Sequence, residues 1–332
     1  MPNFDDALPT VFREFLYAAV DRARSLIAQR VGGVPEEERV TGTSTRRFNI
    51  GVRNYLSYGH DGQTEQYEQR SLLDALFPEL ERTLEAEGWL TDISSLVHDP
   101  NATDPTSLLN RVSPGSLIRL TANGQLFNSE YVAQVLGGTS VAVDGIMRVQ
   151  SPAPPTAGKK SVPKSVHARN SSDPPKLEDL VEHFDPSLIG VSPEQFRAMI
   201  RIARGMFNKG LHLLFSTDGG LGWSATARLQ EGRRYLDAEP DVLFSRYGTA
   251  PQEWTVVGTI GHFSSAPDIR AMEGVNFLSE DGQRVSRTAF VSGLNKLMNM
   301  IGGQGLTDMP QYPGFSVVPL AVYRLIPEAQ SS

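Results

Sequence analysis

A stretch near the middle of the chain, SPAPPTAGKKSVPKSVHARNSSDPPK from Ser151 to Lys176, limits what the rest can fold into. It holds six prolines, five serines and almost no large apolar side chain. Such a segment cannot bury enough surface to offset its ordering entropy, so neither strand nor helix is expected there. The reading is a linker or long exposed loop at 151–176. It separates an N-terminal α+β domain, 1–150, from a C-terminal α+β domain, 177–332. The alternative is a long insertion inside one domain whose sheet takes strands from both sides.

The segments on either side carry hydrophobic periods of both kinds. FREFLY reads as a strand and VDRARSLIAQR as a helix. In FPELERTLEAEG, Pro78 fits a first helical position and Gly88 a C-terminal cap. SLIRLTANGQLF predicts a hairpin turning at Asn123-Gly124. SEYVAQVLGG predicts a short helix stopped by Gly137, and VAVDGIMRV a second hairpin around Asp144-Gly145. In SPEQFRAMIRIARGMF, Ser192 is the expected N-cap, Pro193 the first helical residue and Gln195 the closing half of a capping box. GLHLLFSTDGGLGWSATARL predicts strand, turn and strand, EWTVVGTIGHF a strand, and GFSVVPLAVYRLI a last strand that Pro319 makes an edge or a bulge. RTAFVSGLNKLMNMIGG is a helix expected to turn Phe290, Leu294, Leu297, Met298 and Ile301 inward. Hairpins with single packed helices between them give α+β with mixed, mainly antiparallel sheets.

Charge narrows the partners. The chain has a net charge of −7, and residues 1–150 carry all of it: 13 Arg, no Lys and 20 acids. Nucleic-acid affinity comes from cations on phosphates, so the balance argues against a general DNA or RNA binder. RNA binding through the lysines of 151–176 is the weakest of the readings. With no cysteine, disulfides, thiolate catalysis and Cys-ligated metal are excluded. The N-terminus has acids where an export signal needs cations, and no apolar run would span a bilayer, so the expected location is cytoplasmic.

No stretch carries a catalytic signature. The strand-to-helix corner in REFLYAAVDRARSLIAQ lacks the glycines a phosphate-binding turn needs. His60-Asp61 is bracketed by Gly59 and Gly62, which suits a turn better than a metal site. Ser161–Lys164 matches Ser-x-x-Lys but lies where nothing would hold a nucleophile. His262, Ser264 and Asp268 are close in sequence, as polar residues in one loop often are. No catalytic residue, metal ligand set or cofactor is assigned. The candidate ligand-binding residues are Arg197, Arg201 and Arg204, which share one side of a helix, with Trp223 as a stacking surface and Arg233 and Arg234 nearby in sequence. Arginines hold phosphate or carboxylate by bidentate hydrogen bonds. The competing reading pairs this face with acids from the N-terminal half.

REFLY, SLIAQ and GGVPEE, with PGSLIRLTANGQLF, EWTVVGTI and VVPLAVYR later on, resemble a bacterial family of unknown function, the domain-of-unknown-function family numbered sixty-four fourteen. The resemblance implies a mixed α/β fold and supplies no activity. Its members carry Leu-Asp after the tyrosine, where this chain has Ala18-Ala19; the role of that carboxylate is lost here or moved to Asp21. The favoured function is a cytosolic, non-enzymatic binding or regulatory module that recognises a partner protein or an anionic small ligand. The alternative is a hydrolase with a non-standard site of carboxylates and His262 or His60.

Overall fold

Strand β3, Leu117–Phe127, organises the molecule because it is paired on both edges. The computed structural model describes residues 12–31, 77–97, 108, 110–150, 176–216, 222–268, 270, 273 and 283–327. His60-Asp61, the Ser161–Lys164 motif and nearly all of the 151–176 segment lie outside the described residues.

In chain order the elements are β1 (Phe12–Ala18), α1 (Val20–Val31), α2 (77–86), β2 (Leu90–Asp92), α3 (Ser94–Val97), β3, α4 (Ser129–Gln150) and α5 (Pro193–Met206). They continue with β4 (Leu211–Ser216), β5 (Ser224–Leu229), α6 (Pro240–Tyr247), β6 (Gln252–Phe263), α7 (Arg287–Gly303) and β7 (Gly314–Ile326). The class is α+β, around one mixed seven-stranded sheet. Among the described residues only β2–β3 and β5–β7 pair parallel; the other pairings are antiparallel.

Five strands close on themselves. β3 pairs β4, β4 pairs β5, β5 pairs β7, β7 pairs β6, and β6 returns to β3. Numbered along the chain, the barrel runs first, second, third, fifth, fourth and back to first. Its third and fifth strands are parallel, and α6 lies between the third and fourth. This is the strand order of an OB-fold, a five-stranded Greek-key barrel.

The division into domains 1–150 and 177–332 is therefore not what the sheet shows. β3 precedes the Pro/Ser-rich segment, and both of its barrel partners follow it. The compact units are Met1–Phe127 with Gly210–Ser332, which holds the sheet, and Asn128–Lys209, which follows the first barrel strand in the chain.

Two hairpin expectations fail for identifiable reasons. Asn123-Gly124 does not turn, because β3 pairs β6 from Leu117 to Gly124 and β4 from Gly124 to Phe127. The glycine is needed for space: a Cβ there would stand 3.0 Å from the Phe215 ring. Asp144-Gly145 lies inside α4, where Arg148 reaches back one turn to Asp144 at 2.7 Å. Gly137 does not stop that helix either; a Cβ on it would meet the Leu180 Cβ at 2.9 Å. The hairpin of β4 and β5 and the strands β6 and β7 form where the periodicity placed them. Pro319 falls at a register shift in β7, opposite Gly258.

Barrel filling follows the register. Leu211, Leu213 and Phe215 face Leu229, Ala227 and Ala225, and the last two face Val317 and Phe315. Small residues opposite large ones let the inward rows interdigitate. A second core covers the outer side of β1, β6 and β7, where Phe15, Val20, Phe77, Leu80, Leu320 and Tyr323 pack together. Within it, the Glu81 side chain is 2 % exposed. It meets Arg13 and Arg119 at 3.2 Å each and accepts a hydrogen bond of 2.7 Å from the Tyr323 hydroxyl. Arg119 also grips Glu85 with two nitrogens and donates to Asp92 at 2.8 Å.

In the second unit, α5 begins as its sequence requires. The Ser192 side chain accepts from the Gln195 N–H, Gln195 returns the bond to the Ser192 N–H, and Pro193 stands first in the helix. Such a cap is worth about 0.5–2 kcal/mol. Phe196 and Ile200 pack with Val181 and Phe184, and Ala203 is buried on the same helix. α7 departs from expectation. Phe290, Leu294 and Met298 are exposed, and the buried positions are Gly293, Gly302 and Gly303. Its last turn approaches its neighbours through glycine: a Cβ on Gly302 would lie 2.9 Å from the Met309 side chain, and one on Gly303 2.8 Å from the Ser265 carbonyl.

Candidate functional site

The outward row of the β4–β5 hairpin is polar where the inward row is apolar. The register sets His212 opposite Arg228, Leu214 opposite Thr226, and Thr226 opposite Ser316 of the parallel β7. His212, Arg228, Thr226 and Ser316 thus share one outer face of the barrel. They line a pocket of about 260 Å³ that Tyr17, Arg22, Gln230 and Asp308 help to close.

Each group is placed by its element. Gly210 has φ 125°, and a Cβ there would lie 3.3 Å from the Arg228 Nε, so glycine leaves room for the guanidinium. His212 is only 3 % exposed, an imidazole set into the wall. Arg22 comes from the first turn of α1. The corner before that helix is held by the Ala18 N–H donating to the Tyr235 carbonyl at 2.8 Å and the Ala19 N–H donating to the Leu320 carbonyl at 2.7 Å. Asp21 pairs with Arg234 and accepts from the Tyr235 hydroxyl. The first carboxylate after the alanines therefore ties α1 to the segment after β5. Burial pushes the Tyr17 phenol above its usual value, with Arg22 and the Gln230 main chain pulling the other way, so the ring presents a neutral hydroxyl at neutral pH.

The second- and third-strand face is the one on which OB barrels hold their ligands. Two guanidiniums, an imidazole, hydroxyls and an amide line that face, groups able to hydrogen-bond an anion, and among the described residues Asp308 is the one carboxylate lining it. Among the described outward positions of β4 and β5 the one aromatic ring is the buried imidazole of His212, so this face lacks the row of exposed rings that a stacking platform for single-stranded nucleic acid needs.

The six residues chosen from sequence do not converge there. Arg197, Arg201 and Arg204 belong to the second unit and are turned to its own acceptors. Arg197 donates to the Val181 carbonyl at 2.8 Å, Arg201 lies 3.8 Å from Glu178, and Arg204 is hydrogen-bonded to Glu178. A main-chain hydrogen bond and the Arg204 charge hold Glu178 below its usual range, against its burial. The acids that engage the stripe, Glu178 and, at 3.6 Å from Arg197, Glu194, thus follow the Pro/Ser-rich segment and are not from the N-terminal half. Trp223 cannot stack on a ligand: it is 5 % exposed and sits edge-on to Phe315, ring centres 6.2 Å apart. Arg233 lies 3.8 Å from Glu239, and Arg234 pairs with Asp21 over the Tyr235 ring.

Nor does the His262–Ser264–Asp268 run assemble. The Ser264 hydroxyl donates to the Gly314 carbonyl at 2.9 Å, and Asp268 accepts from the Arg270 N–H at 2.9 Å. His262 instead meets Ser316, whose Oγ accepts its main-chain N–H and lies 3.1 Å from its Nδ1. Burial lowers the His262 pKa, so the ring is neutral at neutral pH.

His212 and Arg228 were legible as outward positions of a predicted hairpin. Arg22 and Ser316 had no such signal, because distant elements bring them to the face. No curated protein and no solved structure matches the chain. A family profile matches residues 12–323, and by that match the chain belongs to the family described as a domain of unknown function, DUF6414.

Proposed function

We propose that this protein is a non-enzymatic cytoplasmic binding module whose ligand is a small anion-bearing molecule held on the outer face of β4, β5 and β7. The observation that carries this reading is the joint placement of Arg22, Arg228 and the buried His212 around one small polar pocket. Hydrogen bonds to charged groups are worth about 1.5–3 kcal/mol, so each arginine should strengthen anion binding by roughly ten- to a hundredfold. Calorimetric titration with inorganic phosphate, pyrophosphate and mononucleotides tests it. Arg228→Ala and Arg22→Ala should each weaken binding by at least tenfold. Arg201→Ala, in the other unit, should leave it within twofold. Equal affinity in Arg228→Ala and wild type would end the reading.

A hydrolytic reading has one observation in its favour, the 3.1 Å approach of the Ser316 Oγ to a neutral His262 Nδ1 beside the pocket. The same oxygen also accepts the His262 main-chain N–H at the register shift between Ile260 and Phe263, which gives the serine a structural task. Covalent labelling of Ser316 by a fluorophosphonate, lost in His262→Ala, is the result this reading requires.

A further inference from the structure

We propose that the ligand is a single-chain amphiphile, its anionic head in the polar pocket and its alkyl chain in a larger cavity on the far side of Arg22. This rests on the anion-binding reading above and names the class of ligand.

The polar pocket, at about 260 Å³, is smaller than the roughly 300–1,000 Å³ typical of small-molecule sites. It has room for a head group and little more. Beside it opens a cavity of about 1140 Å³. Leu117, Val318 and Leu320 form its barrel side, and Leu26, Leu80 and Leu84 of α1 and α2 form its helical side. All but Val318 belong to the outer core or pack against it, so the apolar wall is rigid and continuous with packed structure. Trp89 lines the same space and is largely exposed.

Two residues, Arg22 and Val318, line both spaces. Arg22 and Leu26 are four apart on α1 and so lie one above the other on the helix. A guanidinium with a leucine one turn further along offers an anion clamp and then apolar wall. A wholly polar ligand would leave that wall wet, and a wholly apolar one would make no use of Arg22 and Arg228. Ser25, Gln29 and Glu87 also line the cavity. Glu87 works against a second negative charge at the tail end, which favours one anionic terminus over two.

The test is calorimetric titration of the full chain with inorganic phosphate and with butyl, hexyl, octyl and decyl phosphate, each below its micelle concentration. Burial of one methylene is worth up to a fourfold gain in affinity, so each step of two carbons should tighten binding by about tenfold until the cavity is filled. Arg228→Ala should weaken every member of the series by a similar factor. Leu84→Gln and Leu26→Gln should each weaken octyl phosphate at least tenfold more than butyl phosphate. Binding of phosphate and of every alkyl phosphate with the same affinity would overturn the amphiphile and leave the anion site standing. A chain-length gain untouched by both leucine variants would overturn the placement of the tail. No binding of any of the five compounds would remove both readings. Should a leucine variant fail to fold, the wild-type chain-length series decides by itself.

Discussion

Replacing Glu81 with alanine is expected to cost about 3–5 kcal/mol of stability, the range for removing one partner of a buried ion pair. The carboxylate is almost wholly buried and engages Arg13, Arg119 and Tyr323. Truncation leaves the Tyr323 hydroxyl and one Arg119 nitrogen without this acceptor and takes a buried counter-charge away from Arg13. The Arg13 guanidinium also lies 5.2 Å over the Tyr323 ring, so the loss extends to packing. Glu81→Gln keeps the volume and one carbonyl acceptor and should cost less. Urea denaturation of the two variants checks the order; equal and small losses would mean that the network adds little.

The same network predicts an acid limit. Arg119 holds Glu85 below its ordinary 4.5. For Asp92, burial raises the value, but hydrogen bonds from Ser94 and Arg119 outweigh it and bring it below 3.8. Glu14 behaves likewise through Arg324 and Tyr247, against its own burial. These are carboxyls with folded values below their unfolded ones. Their contribution is complete above the unfolded values and is lost as pH falls through the folded ones. Melting temperature should therefore fall below about pH 4, and less steeply in Arg119→Met, whose starting stability is lower. An identical acid slope in that variant would show that Glu85 and Asp92, the two carboxylates Arg119 holds down, do not set the limit.

The second large effect concerns Trp223. Trp223→Ala should lower stability by about 3–5 kcal/mol, as for a buried aromatic in a packed core. The protein that remains folded should bind its anionic ligand within twofold of wild type. The ring closes the barrel against Phe315, which itself touches Phe263 at a ring separation of 5.8 Å. The opposite outcome, normal stability with lost binding, would return Trp223 to a ligand site.

Local structure was largely legible. The capping box of α5 was readable because its chemistry lies within four consecutive residues, and the β4–β5 hairpin because alternation and a glycine-rich turn are local signals. Asn123-Gly124 misled because a glycine that makes room for Phe215 looks the same in sequence as one that makes a turn. The face of α7 misled because periodicity identifies an apolar stripe but not which side the fold covers. The arginine stripe was visible, but Glu178, which it engages, could not be identified before the chain was folded.

What the sequence determined by itself is the class of the molecule and the character of its segments: α+β, free of thiol chemistry, with caps, alternating strands and one segment too poor in apolar residues to join a core. Only the tertiary structure decided that strands from both sides of that segment close one barrel, and that His212, Arg228, Ser316 and Arg22 meet on its outer face. The reason is range. Caps and alternation depend on residues a few positions apart. The barrel and its pocket depend on pairings between residues as far apart as Leu117 and Thr259, whose partners are chosen by the register and packing of the whole sheet.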